Sequence, residues 1–145
     1  MPSNRQAISV TRHVNAPPPA VFDAWLDPDA ARQFLFATDK GRVIRADIDP
    51  RVGGGFTIVD RRAEGDAQHV GRYVEIDRAR RLVFDFSVTS FSSDSTRITV
   101  SFVPADSGTD ITLTSDNIPE EHAERATHGW STILGALARV VEQGG

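Results

Sequence analysis

The chain contains no cysteine, which excludes disulfide frameworks, thiolate zinc sites and thiol nucleophiles and suits a reducing compartment. No apolar run approaches the ~18 residues needed to cross a bilayer. The polar start MPSNRQ also lacks the apolar core of a secretory signal. A cytoplasmic protein with no membrane association is therefore expected. An excess of positive charge is missing too. Sixteen Lys and Arg stand against 20 Asp and Glu, giving a net charge of −4, whereas nucleic-acid binders carry a basic face. The densest basic group, Arg78, Arg80 and Arg81, adjoins Glu75 and Asp77 at a turn; it reads as a solvated turn, and no nucleic-acid partner is expected. Internal repeats and low-complexity linkers are lacking, so the 145 residues read as one domain, 1–145. A chain of that size buries roughly 68–70% of its unfolded surface and folds without a metal or disulfide.

What is present is a change of hydrophobic period along the chain. Ile8, Val10 and Val14 sit among polar residues as in a half-buried strand. Pro17, Pro18 and Pro19 then open a helix, whose first turn has no amide obligations. In that helix Phe22 shares a face with Trp25 and Leu26. Asp27 and Pro28 restart the chain as cap and first-turn residue of a second short helix ending at Phe34 or Leu35. Alternation follows over residues 43–49, 54–61, 69–76 and 82–88, and again around Ile98, Val100, Phe102 and Ile111, Leu113. The breaks are turns at Pro50-Arg51-Val52-Gly53, Glu64-Gly65-Asp66, Asp77-Arg78-Ala79-Arg80 and Pro104 to Gly108. Such spacing predicts an antiparallel meander. From Pro119 the period becomes helical, with Trp130, Leu134, Leu137 and Val141 on one stripe and Gly144 and Gly145 closing it. Glu120, Glu121 and Glu124 favour the positive end of that helix. It runs about 23 residues, roughly 35 Å.

The chemistry-bearing patterns are weak. His122 and His128 in HAERATH are six apart, about 240° around a helix, whereas a helical zinc pair needs four. No metal site is expected. Gly53-Gly54-Gly55 runs into Phe56-Thr57-Ile58-Val59, a strand, whereas a phosphate cradle leads into a helix. Ser90, Ser92, Ser93 and Ser95 lie outside any G-x-S-x-G context. No catalytic nucleophile, paired acids or cofactor motif stand out. On the strand 69–76, apolar count turns Val70, Val74 and Ile76 inward, which sends His69 and Tyr73 to solvent. A kink would reverse the assignment along part of the strand.

With these elements in place the chain resembles a known family. The residues that carry the likeness are Ala16-Pro17, Val21-Phe22-Asp23-Ala24-Trp25, Asp27-Pro28, Asp49-Pro50-Arg51-Val52-Gly53-Gly54 and His69-Val70-Gly71-Arg72-Tyr73-Val74-Glu75-Ile76-Asp77. Arg81-Leu82-Val83-Phe84, Gly108-Thr109 and Gly129-Trp130 complete them. Their order resembles the α+β helix-grip fold of the START (SRPBCC, pollen-allergen-like) superfamily. Within it the chain is similar to the branch named for the activator of the ninety-kilodalton heat-shock chaperone ATPase. The likeness implies a curved antiparallel sheet of about six or seven strands around the long carboxyl-terminal helix, with two short helices after the first strand. Many relatives carry tryptophans where this chain has Gln33-Phe34-Leu35-Phe36 and Phe84-Asp85-Phe86-Ser87. The likeness extends only to the non-amino-terminal half of the eukaryotic activator.

The resemblance also implies a pocket between helix and sheet. Phe56, Ile58, Tyr73, Phe84, Phe86, Val100 and Leu113 would line it from the sheet, with Thr127, Trp130, Ser131 and Leu134 from the helix and Phe36 at the mouth. The plain alternative is that an alternating apolar stripe is only core. Three functions follow from the likeness. The first is binding of a small hydrophobic or aromatic molecule. The second is an enzyme of the polyketide cyclase or aromatase sort, with His69 and Tyr73 as acid–base groups if both point inward. The third is a module that contacts a protein partner such as a chaperone. A homodimer through the last helix or an edge strand is compatible with all three.

Overall fold

In the computed structural model, which describes residues 5–35, 42–62, 65–88 and 96–143, the alternating segments join one antiparallel sheet of seven strands. Across the sheet they run β1 (Arg5–Val14), β7 (Gly108–Pro119), β6 (Thr96–Ala105), β5 (Arg81–Val88), β4 (Gly65–Asp77), β3 (Gly55–Arg62) and β2 (Arg42–Ile48). From β2 onward each strand pairs with its successor, and β1 closes the order beside β7. The turn expected at Glu64, the serines at 90–95, Phe36 and the closing Gly144 and Gly145 lie outside the described residues.

Two short helices follow β1, namely α1 (Pro18–Leu26) and α2 (Pro28–Phe34). Asp27 separates them: its extended backbone ends α1, and its carboxylate accepts the Asp29 N–H at 3.0 Å to cap α2. Pro28 lacks an amide proton and so fits the first turn of α2. Val21, Phe22, Ala24 and Trp25 form the buried side of α1.

The last helix, α3 (Ala123–Gln143), starts later than its period predicts. Pro119 stays in β7 opposite Arg5, and Glu120–His122 form a single 3-10 turn before the helix begins. Continued pairing with β1 holds the strand that far. Trp130, Ile133, Leu134, Leu137 and Ala138 make the buried stripe of α3, at the three- and four-residue spacing of an amphipathic helix. His122, Glu124 and His128 are exposed. The helix lies along β1 and β7 and meets α1 and α2, while α2 covers β2. Every helix is therefore on one face of the sheet, as in a helix grip. Among the described residues no helix is long and apolar enough to cross a membrane.

Strand β4 corrects the expected facing. His69 and Tyr73 are buried and Val74 is exposed. Register decides the matter. His69 pairs with Ile58, Gly71 with Phe56 and Phe86, and Tyr73 with Phe84, all on the inner face. An irregularity between Tyr73 and Glu75 then shifts the register, so that Ile76 lies opposite Leu82 and packs on the core. A bulge changes which side chains face inward beyond it. Inward His69 and Tyr73, and inward Ile76, are thus the two sides of one kink.

Candidate functional site

The inner face of the sheet is built by alternation on adjacent strands. One cross-strand row runs Tyr73, Phe84, Ile98, Ser115, Ile8. The neighbouring row holds Leu82, Val100, Leu113 and Val10. Aromatic rings bridge these rows to the helices. Trp25 meets Phe34 at 5.3 Å and Phe84 at 6.4 Å. Phe84 meets Phe56 at 5.4 Å and Phe86 at 6.4 Å. Phe86 in turn meets Trp130 at 5.7 Å, with the rings perpendicular. Ring pairs at these separations each add about 0.5–1.5 kcal/mol beyond burial.

Polar groups are set into this apolar layer. The Tyr73 hydroxyl is driven well above its ordinary pKa, chiefly by burial and secondarily by the negative charge of Asp49. It is therefore held as a neutral phenol, a hydrogen-bond donor that keeps its proton. His69 Nδ1 lies 3.3 Å from the Ile58 carbonyl. A carbonyl oxygen only accepts, so that contact as a hydrogen bond requires the proton on Nδ1. His69 and Tyr73 share a face four residues apart, about 13 Å at strand spacing, so they act separately and not as a touching pair. Asp60 and Ser115 are fully buried as well. The Ser115 Oγ and Trp25 Nε1 atoms find no hydrogen-bond partner among the described residues.

Of the side chains expected here, Phe56, Ile58, Tyr73, Phe84, Val100, Leu113, Trp130 and Leu134 are buried in this interior. Phe86 is half-buried against Trp130. Thr127 is half-buried, and its hydroxyl is engaged, donating to the Ala123 carbonyl at 2.8 Å. Ser131 is exposed, which removes it from the interior; one residue past Trp130 places it about 100° around the helix, off the buried stripe. Asp60, Ser115 and the Trp25 nitrogen went unremarked in the sequence. The first two were legible, because Phe56-x-Ile58-x-Asp60 and Ile111-x-Leu113-x-Ser115 continue the inward alternation.

Two open concavities lie elsewhere. A cleft of about 490 Å³ runs between the β1–α1 connection, α1, α2 and the last turns of α3, lined by Ala20, Asp23, Ala24, Ala30, Val140 and Glu142 among others. A hollow of about 410 Å³ lies on β2, β3 and β4 by Arg45, Asp47 and Thr57. Only the end of α3 reaches the cleft, and none of it reaches the hollow. Neither is the helix–sheet pocket that the resemblance implies.

A seven-stranded antiparallel sheet with two short helices and one long helix on its inner face defines an α+β protein of the helix-grip class. The family model described as "Activator of Hsp90 ATPase homolog 1-like protein" matches residues 15–142, and the chain belongs to that family. Solved structures agree. Protein CV1439 of Chromobacterium violaceum is 27% identical, with a TM-score of 0.85, over 94% of this chain and 98% of that one. An AHSA1-like protein of Aeromonas hydrophila is 25% identical, with a TM-score of 0.82, over 96% and 94%. Protein SA2116 of Staphylococcus aureus, of unknown function, shares the fold at 17% identity and a TM-score of 0.86, over 98% and 96%. No curated protein matches the chain.

Proposed function

We propose that the chain binds a small hydrophobic or aromatic molecule between α3 and the inner face of the sheet. The observation that carries this reading is the burial of His69 and Tyr73 on the inner face of the sheet, with the Tyr73 ring against Phe56 and Phe84. Polar side chains are costly in a core, and ligand sites combine apolar walls with a few placed polar groups. Phe86, the half-buried ring that touches Trp130, is the ring a ligand displaces on entry. Thermal melting against a panel of hydrophobic and aromatic compounds tests the reading. A compound at 100 times its dissociation constant stabilises the folded state by about 2.7 kcal/mol. A saturable shift that disappears in a folded Trp130→Ala variant is expected. No shift across a broad panel would refute the reading.

The same placement of His69 favours a second reading, acid–base chemistry of the polyketide cyclase or aromatase kind in the same space. There the His69 imidazole takes a proton and the Tyr73 hydroxyl steadies the reacting oxygen with a hydrogen bond. In that case His69→Gln stops turnover of a compound that still binds. A protein-contact role draws less support. The exposed large apolar residues among those described, Val52, Val74 and Val103, sit on separate elements, and scattered apolar residues are ordinary surface.

A further inference from the structure

The cleft of about 490 Å³ between α1, α2 and the end of α3 combines an apolar floor with an acidic rim. Ala16 and Ala24 are buried beneath it, and Ala20, Val140 and Val141 extend the apolar surface. The charged residues that line it are Asp23, Asp27 and Glu142, with no Lys, Arg or His beside them. Arg78 answers Asp23 through two hydrogen bonds, at 3.0 and 2.8 Å. Asp27 and Glu142 are held by backbone N–H groups instead, those of Asp29 at 3.0 Å and Asn15 at 2.9 Å. Neither of these two has a cationic partner among the described residues.

The end of α3 adds to that negative charge. The helix is 21 residues long and carries no basic residue in its last turn. Its carbonyl end bears roughly half a negative charge, which cations stabilise and acids oppose. Glu142 therefore places an acid where the helix is already negative, a cost that a bound cation relieves. Size points to a small molecule. The volume falls within the roughly 300–1,000 Å³ of ligand pockets, whereas a docked protein covers about 800 Å² on each partner. No aromatic ring is among the lining residues, so the aromatic cage that suits a quaternary ammonium is missing. Carboxylates accept hydrogen bonds from a primary ammonium group, which has three donors to give. We infer that this cleft binds a small primary ammonium compound with an aliphatic body, its nitrogen at the acidic rim and its carbon chain on the alanine and valine floor. The site is separate from the inner face of the sheet and does not depend on a ligand there.

The test titrates the ¹⁵N-labelled chain with hexylammonium chloride, 1-hexanol and hexyltrimethylammonium chloride at neutral pH and constant ionic strength. Hexylammonium is expected to give saturable shifts at the amides of Ala20, Ala24 and Val140 and to bind about fivefold more tightly than either control. Glu142→Gln and Asp27→Asn keep an acceptor for the Asn15 and Asp29 N–H groups and remove one charge each. Each should weaken hexylammonium about three- to fivefold, the scale of one exposed ion pair. Asp106 is an exposed acid outside the cleft, at a positive φ of 53° that asparagine tolerates. Asp106→Asn removes the same charge and should leave the affinity unchanged. Either control binding as tightly as hexylammonium overturns the inference. Unchanged affinity in both cleft variants, or an equal loss in Asp106→Asn, does the same. So does an absence of saturable shifts at the cleft amides.

Discussion

The Phe56 ring occupies the space in which a β-carbon on Gly71 would stand. A carbon built there meets Phe56 Cε2 and Cζ and comes within 2.8 Å of the Asp85 carbonyl. The close approach explains why the inward face of β4 carries a glycine between His69 and Tyr73, and it seats Phe56 against Tyr73 and Phe84.

Gly71→Ala therefore forces the Phe56 ring aside. Overpacking of this kind costs about 1–3 kcal/mol, read as a lower urea midpoint at unchanged m-value. Adding Phe56→Leu should recover part of the loss, because the two side chains compete for one volume and their effects are coupled.

Ser115 and Thr109 are both fully buried hydroxyl residues of β7, but they should respond in opposite directions. Thr109 Oγ1 donates to the Ala16 carbonyl at 2.8 Å, fastening β7 to the entry of α1. Thr109→Val strands that carbonyl and should cost about 1–3 kcal/mol. Ser115→Ala removes an unpaired hydroxyl, so denaturation without ligand should show stability unchanged or raised by up to about 1 kcal/mol.

His13 and Asp110 meet across β1 and β7 at 2.8 Å. The hydrogen bond to Asp110 holds the imidazole above its ordinary value of 6.5, against a smaller opposing effect of desolvation. A histidine raised in the folded state contributes fully below its unfolded value, and the contribution is lost as pH rises through the folded one. An NMR titration of His13 should thus have its midpoint above 6.5, and Asp110→Asn should lower it. The stability gap between wild type and Asp110→Asn should shrink as pH rises from the ordinary value of 6.5 through the folded midpoint. The gap is small throughout, because both side chains are well exposed.

Much of the fold was legible because period reports facing. Alternation placed Phe56, Ile58, Phe84, Val100 and Leu113 inward, and helical spacing found Trp130 and Leu134. It failed on β4, where counting apolar residues favoured Val70 and Val74. A strand's facing is set by its neighbours' register, and a kink at Val74 lets one strand satisfy two patterns in succession. The start of α3 was misjudged for a related reason: pairing with β1 kept Pro119 in a strand. Ser131 is exposed, because 100° of helix separates it from Trp130. The unpaired Trp25 nitrogen leaves no trace in a sequence pattern, since whether an indole finds a partner depends on packing.

Whether the inner face of the sheet is a ligand site is tested by a ¹⁵N–¹H and aromatic NMR titration with an aromatic compound that raises the melting temperature. Saturable shifts are expected at Tyr73, Phe84, Ile98, Leu113 and Trp130, with Val74 and Thr57 unmoved. Shifts confined to Ala20, Ala24 and Val140 in the open cleft, or no saturable shifts, would contradict it.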